Sequence, residues 1–86
     1  MTDLVVLTDY LIKRLVTNPD VAIIKETSRD ENSITIQVLV DEKDMPVVIG
    51  KGGATINAIR TIVQASSYIN QKERVYINVD SLKEEI

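Results

Sequence analysis

The sequence predicts a small α+β domain in which helices pack on one face of a three-stranded mixed sheet. The first observation is the period of two in residues 34–40, where Ile34, Ile36, Val38 and Val40 alternate with Thr35 and Gln37, which is typical of a half-buried strand. The second is the helical spacing of apolar residues over 3–17 and 54–67. The third is a Gly-x-x-Gly turn at 50–53, directly before the second of these helices. A chain of 86 residues favours a single domain, 1–86.

The N-terminal helix is predicted over residues 3–17, because leucines recur there at intervals of three or four residues. Thr2 or Asp3 can cap its start. Pro19 ends it, because the residue before a proline is disfavoured in the helical region. The apolar face of this helix is expected to cover the sheet.

A β-hairpin follows this helix. Residues 21–27 are rich in β-branched side chains and predict a strand. Residues 28–32 are polar and predict a turn, and the alternating segment 34–40 supplies the second strand of the hairpin.

A charged run at residues 41–44 is predicted to be a solvated loop rather than a metal site, because no ligand spacing is recognisable in it. Its last residue, Asp44, is expected to cap a short helix over 45–49. Pro46 is compatible with the first turn of that helix.

The longer helix over 54–67 has more apolar surface than one sheet requires, since its polar residues occupy an arc of only about 100°. Two interpretations remain open: the helix is sunk in a groove between the sheet and the first helix, or its extra face forms a subunit interface. The residues concerned are Ala54, Ala58, Ile62 and Ala65.

Residues 68–73 predict a polar connection, and the alternation over 74–79 predicts the third strand. Two helices separate this strand from the one before the glycine turn, and such a crossover allows the two strands to run parallel. Residues 80–86 are expected to form a loosely ordered tail.

Composition excludes several classes of function. The chain has neither Cys nor His, so it lacks thiol nucleophiles, histidine bases and the common zinc ligands. No cofactor motif and no apolar run long enough to span a membrane is visible. We therefore expect a cytoplasmic protein that is not an enzyme and carries neither a cofactor nor a metal ion.

The charge distribution favours a local anion site. The net charge is -3, which is the wrong sign for a general nucleic-acid binder. Residues 43–60, however, carry three positive charges and one negative charge, while the segments on either side are net negative. Binding to a nucleic acid is therefore expected to be weak and centred on the glycine turn.

The turn itself matches neither a dinucleotide-binding fingerprint nor a P-loop, because its glycine spacing differs from both. A bare Gly-x-x-Gly is also common in purely structural turns. Unpaired amides at a helix start, together with Lys51, would nevertheless form a cradle for a phosphate.

The wider segment resembles the KH domain, whose Gly-x-x-Gly loop clamps about four nucleotides of a single strand. The order of elements, α-β-β-α-α-β, resembles the type II KH fold. More narrowly, the chain is similar to the small single-domain KhpA family. The matching residues are Asn18-Pro19-Asp20, Asp44, Val48-Ile49-Gly50, Gly53, Thr55-Ile56 and Ala58-Ile59-Arg60.

This resemblance implies a bacterial cytosolic protein that binds single-stranded RNA and acts as a post-transcriptional regulator or RNA chaperone linked to cell shape and division. It also implies a homodimer, and a heteromer with a larger Jag-type KH protein. The implied RNA-binding residues are Val48, Ile49, Gly50, Lys51, Gly52, Gly53, Thr55, Ile56 and Arg60, with the apolar strand 36–40 helping to form the base groove.

The sequence departs from the family pattern in its basic residues. Positions near Val47 and Ala54 are usually basic and the Gly52 position is usually charged, so Lys51 is the one basic residue of that cluster present here. The absence of these basic residues supports an alternative function, a protein-interaction module that dimerises and binds RNA weakly or not at all. In that case Ala54, Ala58, Ile62 and Ala65 would form the interface.

Overall fold

A computed structural model describes residues 3–70 and 73–82, and its elements follow the predicted order. The helices and strands are α1 Leu4–Leu15, β1 Ile23–Arg29, β2 Ser33–Val40, α2 Met45–Ile49, α3 Ala54–Asn70 and β3 Arg74–Ser81. Short 3-10 turns occupy Pro19–Val21, Glu42–Asp44 and Lys51–Gly53. The predicted α+β class and the type II KH-like order of elements are confirmed.

The three strands form one mixed sheet with β2 in the centre. β1 pairs antiparallel with β2, as in the predicted hairpin, and β3 pairs parallel with β2. Ile36 on β2 lies opposite Glu26 on one side and Ile77 on the other. The parallel pairing follows from the crossover through α2 and α3, and it leaves β3 as an edge strand.

The core lies between the sheet and the helices. Every second residue of β2 is buried, as the alternation in the sequence predicts. Burial of each such side chain contributes about 1.5–3 kcal/mol. The buried core consists of Leu4, Ile12 and Val16 of the first helical segment, Ala22, Ile34, Ile36, Val38 and Val40 of the hairpin, Val48, Ile56, Ile59 and Val63 of the later helices, and Val75 and Ile77 of β3.

Helix α3 ends at Asn70, so the prediction that it ends at residue 67 and gives way to a connection at 68 is wrong. Ser67 anchors the additional turn. Its hydroxyl donates to the carbonyl oxygen of Glu73 at 2.7 Å and accepts from the Glu73 amide at 3.1 Å. This pair of bonds fixes the end of α3 to the start of β3.

The strand ends also differ from the prediction. β1 begins at Ile23 because Pro19–Val21 forms a 3-10 turn, closed by the Ala22 amide donating to Pro19 at 3.1 Å. β1 then continues to Arg29, which pairs with Ile34 and shortens the predicted turn. β3 continues to Ser81, opposite Val40 on β2. The loosely ordered tail expected over 80–86 is therefore wrong for residues 80 and 81, and residues 83–86 lie outside the described part of the chain.

Asp44 does not cap α2 with its side chain, contrary to the prediction. Its buried carboxylate instead accepts hydrogen bonds from the Thr17 amide at 2.9 Å, the Thr17 hydroxyl at 2.8 Å and the Asn18 amide at 3.2 Å. The exposed loop expected at 41–44 thus ends in a buried carboxylate that joins the end of α1 to the start of α2.

We predict that Asp44→Asn lowers the melting temperature by several degrees at neutral pH, because an amide nitrogen in place of Oδ2 cannot accept from the Asn18 amide, and because the two bonds from Thr17 lose their charged acceptor. The bond from the Thr17 amide is the main cause that lowers the pKa of Asp44 in the folded state. Stabilisation by a carboxyl with a lowered pKa is present above its unfolded-state pKa and is lost as the pH falls through the folded-state pKa. The gap between wild type and Asp44→Asn should therefore shrink below about pH 4.

Thermal unfolding followed by circular dichroism across this pH range measures the effect. Glu42→Gln is the control, because Glu42 is exposed and lies in the same 3-10 turn. A gap that stays constant from neutral to acidic pH would refute the proposed role of the charged carboxylate.

Candidate nucleic-acid interface

The glycine turn interrupts the helical backbone between α2 and α3 and lies at the protein surface. Gly50 has φ of 78°, Gly52 of 62° and Gly53 of 82°. All three lie in the left-handed region, which glycine adopts without the strain that a Cβ atom introduces. Lys51 and Gly52 are exposed at the apex of the turn. The turn is therefore neither packed inside the fold nor absorbed into one continuous helix.

Gly50 and Gly52 have different surroundings. A Cβ atom on Gly50 would lie 2.7 Å from the backbone nitrogen of Thr55 and 2.8 Å from its Cβ atom. Thr55 thus packs directly beneath the turn, and only glycine fits above it. A Cβ atom on Gly52 would meet nothing within 4 Å, so this position opens to the surroundings.

The amides of the turn are partly engaged within the protein. The Gly50 amide donates to Pro46 at 2.8 Å, and the Gly53 amide donates to Gly50 at 3.1 Å. The first amide of α3, that of Ala54, donates to Lys51. For the amides of Lys51 and Gly52 the described residues supply no acceptor. The amides that remain free to bind an anion are therefore those of Lys51 and Gly52 at the apex of the turn. They lie three and two residues before the first residue of α3, where the sequence placed the anion-binding amides.

The charge of Lys51 is also uncommitted within the described residues. The ion pairs found there join Lys13 to Asp9, and Arg29 to Glu26 and Glu73. The Lys51 ammonium can therefore meet an external anion without breaking an existing pair.

Several of the apolar residues predicted to form the site lie in the core. Val48 is fully buried and Ile56 nearly so, while Ile49 is partly buried against them. These side chains hold the turn from below and present little surface. The prediction that the strand 36–40 forms a wall of the base groove is wrong, because β2 is the central strand and its apolar side chains are covered by the helices.

An open groove lies along the outer edge of β3. A cavity of about 560 Å³ opens between α3 and this edge strand, with an aliphatic floor and polar walls. Because Arg60 is six residues after the start of α3, the groove begins about 9 Å along the helix from the glycine turn. The lining residues are Arg60, Thr61, Gln64, Ala65 and Tyr68 of α3, and Arg74, Val75, Tyr76, Ile77 and Asn78 of β3.

Side chains of α3 hold the edge of β3 in place. Arg60 donates to the carbonyl oxygen of Ile77 through Nε at 3.3 Å and Nη2 at 3.0 Å. Gln64 donates to the carbonyl oxygen of Glu73 at 2.9 Å and accepts from the Val75 amide at 2.9 Å. These bonds satisfy backbone groups that an edge strand otherwise leaves open.

Aromatic rings stand at the far end of the groove. Tyr68 and Tyr76 are each about half exposed, and the Arg74 guanidinium lies 5.8 Å from the centroid of the Tyr76 ring. Exposed rings beside a cationic group form a stacking platform for unpaired bases. Gln64 was not predicted to belong to the site, and Tyr68 and Tyr76, although their rings can stack on bases, were not among the predicted RNA-binding residues. The signal was available, because a parallel third strand after a helical crossover must lie at the edge of this sheet.

The structure excludes one interpretation of the excess apolar face on α3. Its four candidate interface residues are exposed, so the helix is not sunk in a groove. Ile62 is 49% exposed, and the stripe continues to Ile69, which is 80% exposed. The stripe consists of Ala54, Ala58, Ile62, Ala65 and Ile69, and it adjoins the groove at Ala65.

Other kinds of site find no support in the described residues. They contain no cluster of acidic, histidine or cysteine side chains suited to holding a metal ion. Nor does any helix among them combine the length and apolar character needed to cross a membrane.

A mixed sheet of this topology, with an exposed glycine turn between its two crossover helices, defines a type II KH domain. The model of the KhpA/KhpB KH domain matches residues 6–79. The chain belongs to this family.

Sequence similarity to individual relatives also supports membership of this family. The chain is 39% identical over 69 residues to RNA-binding protein KhpA of Caldanaerobacter subterraneus subsp. tengcongensis, covering 80% of this chain and 89% of the relative. It is 36% identical over 73 residues to RNA-binding protein KhpA of Halalkalibacterium halodurans, covering 85% and 93%. It is 34% identical over 73 residues to RNA-binding protein KhpA of Clostridium acetobutylicum, covering 85% and 95%.

We predict that Gly50→Ala destabilises the protein more than Gly52→Ala. Both substitutions place a Cβ atom at a positive φ. Gly52 has the left-handed helical conformation, where this costs about 1–2 kcal/mol, whereas Gly50 has ψ of 169°, in a region that is essentially restricted to glycine. Only Gly50→Ala adds a steric conflict, because its Cβ atom would overlap Thr55. Urea denaturation of the two variants measures the difference, and equal losses of unfolding free energy would show that Thr55 does not constrain the turn.

Proposed function

We propose that this protein binds single-stranded RNA, with the sugar-phosphate backbone held at the glycine turn and the bases placed in the groove between α3 and β3. The observation that carries the proposal is the exposed turn itself, where the amides of Lys51 and Gly52 and the Lys51 ammonium are open to an anion. The relatives named as RNA-binding proteins support the choice of RNA as the ligand.

In the proposed complex, the RNA strand passes first over the glycine turn and then along α3 into the groove. Phosphates lie against the amides and ammonium of the turn, where a hydrogen bond to a charged acceptor is stronger than one between neutral groups. The strand then continues along α3 into the groove. There Val75 and Ile77 offer an apolar floor, and Tyr68 and Tyr76 offer surfaces on which bases stack.

The predicted roles of the individual turn residues follow from their positions. Gly50, Gly52 and Gly53 allow the backbone to approach the ligand, and Lys51 supplies the charge. Thr55, Ile49, Val48 and Ile56 support the turn from below, and Arg60 faces the groove. Because Lys51 is the one basic residue at the apex, the affinity is expected to be modest and to fall as salt rises.

We predict that Lys51→Asp with Gly52→Asp abolishes binding to a short single-stranded RNA, because two carboxylates would stand where a phosphate lies. Titration of a fluorescently labelled RNA, followed by anisotropy, measures this effect. The matched control is Lys25→Asp with Ser28→Asp, which changes the net charge equally on exposed positions of β1. Equal affinity of wild type and the turn variant would reject the turn as the binding site.

A second function is favoured by the apolar stripe on α3. We infer that the stripe of Ala54, Ala58, Ile62, Ala65 and Ile69 pairs two copies of the chain, because small residues allow two helices to approach closely and an exposed apolar stripe is stabilised by burial. The stripe adjoins the groove at Ala65. A dimer would therefore bring two weak RNA sites together and raise the overall affinity through avidity.

We predict that wild type is a dimer at micromolar concentrations and that Ile62→Asp is a monomer, because the variant would bury a carboxylate in an apolar interface. Light scattering coupled to size-exclusion chromatography measures both. Ile23→Asp is the matched control, since Ile23 lies on β1 and is 44% exposed. If wild type is a monomer even at high concentration, the proposed interface on α3 is refuted.

In the cell, these properties fit a post-transcriptional regulator or RNA chaperone of the bacterial cytosol, linked to cell shape and division. The same stripe would serve a heteromer with a larger Jag-type KH protein. Crosslinking followed by sequencing, compared between wild type and the turn variant, would test RNA contact and identify the targets together.

A further inference from the structure

Two tyrosines and one arginine form a cluster at the far end of the groove. Arg74, the first residue of β3, donates from Nη1 to the hydroxyl of Tyr68 at 3.5 Å, and its guanidinium lies 5.8 Å from the centroid of the Tyr76 ring. Arg74 therefore bridges the last turn of α3 and the start of the edge strand. All three residues line the same cavity as Arg60, so the cluster and the start of the groove belong to one continuous surface.

The rings and the charge of this cluster remain available to a ligand. Tyr68 is 52% exposed and Tyr76 is 50% exposed. Among the residues that the structure describes, no carboxylate pairs with Arg74, because the ion pairs found there involve other basic residues. Glu73, which precedes Arg74, is held by Arg29 at 2.8 Å. Exposed aromatic rings beside a cation that no carboxylate neutralises are suited to binding a single-stranded nucleic acid.

The cluster lies well away from the glycine turn. Tyr68 is 14 residues after the start of α3 at Ala54, which corresponds to about 21 Å along the helix axis. Successive nucleotides of a stacked strand are about 3.4 Å apart, so about six nucleotides cover this distance. The glycine loop of a KH domain holds about four nucleotides. A strand must therefore extend beyond the nucleotides held at the turn to reach the cluster.

We propose that Tyr68, Arg74 and Tyr76 form a second RNA contact, which lengthens the bound segment beyond the nucleotides held at the turn. The proposal rests on the RNA-binding function proposed above. A base stacks on an exposed tyrosine ring, and the Arg74 guanidinium neutralises a neighbouring phosphate. Because every base has a π-face, this contact favours longer strands and is insensitive to their sequence.

A similar pair of side chains on α1 supplies the matched control. The Arg14 guanidinium lies 5.9 Å from the centroid of the Tyr10 ring, and Tyr10 is 61% exposed. Neither residue lines the groove. The groove variant, Tyr76→Leu with Arg74→Gln, and the α1 variant, Tyr10→Leu with Arg14→Gln, therefore remove the same chemical groups at two different places.

The experiment titrates wild type and both variants with oligouridines of four and eight nucleotides at one fixed salt concentration, followed by fluorescence anisotropy. We expect wild type to bind the longer RNA more tightly, in part because a longer strand offers more binding registers. The groove variant should weaken the octanucleotide about tenfold and leave the tetranucleotide unchanged. The α1 variant should change neither affinity. Tyr68→Leu, a single change on α3, should also weaken only the octanucleotide, and it decides the test if the groove variant does not fold as judged by circular dichroism.

The alternative outcomes separate this proposal from the proposed function. If wild type, the groove variant and Tyr68→Leu bind the octanucleotide equally while Lys51→Asp with Gly52→Asp abolishes binding, RNA binding at the turn stands and the second contact is overturned. Equal weakening of both lengths by the groove variant would also overturn it, because the cluster would then belong to the segment held at the turn. Equal weakening by the groove and α1 variants would overturn it as an effect of net charge alone. If wild type binds neither length, the proposed function fails and this inference fails with it.

Discussion

The break between α2 and α3 is the constraint on which the rest of the structure depends. Gly50 must leave the helical region at a positive φ, because Thr55 packs directly against its backbone. The resulting turn exposes Lys51 and Gly52, whose amides find no acceptor among the described residues, while Val48 and Ile56 remain in the core. A buried base and an exposed apex therefore come from the same local geometry, as our proposal of a backbone-binding turn requires.

Helix α3 connects three surfaces of different character. One face packs into the core, a second holds the edge of β3 through Arg60 and Gln64, and a third carries the exposed stripe that includes Ile62. These faces follow from the helical period, since residues three or four positions apart share a side. The groove and the stripe meet at Ala65, so pairing of two chains would bear directly on the groove that we propose to hold RNA. In our account RNA binding and self-association are therefore neighbouring properties of one helix.

The fold was predictable because its strongest signals are local. The alternation of β2, the glycine turn and the spacing of apolar residues in α1 fixed the elements and their order. The ends of elements were less predictable, because they depend on long-range contacts, such as the Ser67 bonds to Glu73 that extend α3. The burial of Asp44 was missed for the same reason, since its partners lie 27 and 26 residues earlier in the chain. For the site, the turn was visible in the sequence. The edge position of β3 also followed from the predicted crossover, but the side chains that line the groove beside it depend on how α3 packs against that edge.

The central claim is that the apex of the glycine turn holds the RNA backbone. Backbone amide chemical shifts of the isotope-labelled protein, recorded while a single-stranded RNA is added, test it most directly. The account predicts that the largest changes occur at Lys51 and Gly52, followed by groove residues such as Ile77. Changes concentrated on the open face of the sheet, for example at Lys25, with Lys51 and Gly52 unmoved, would contradict it.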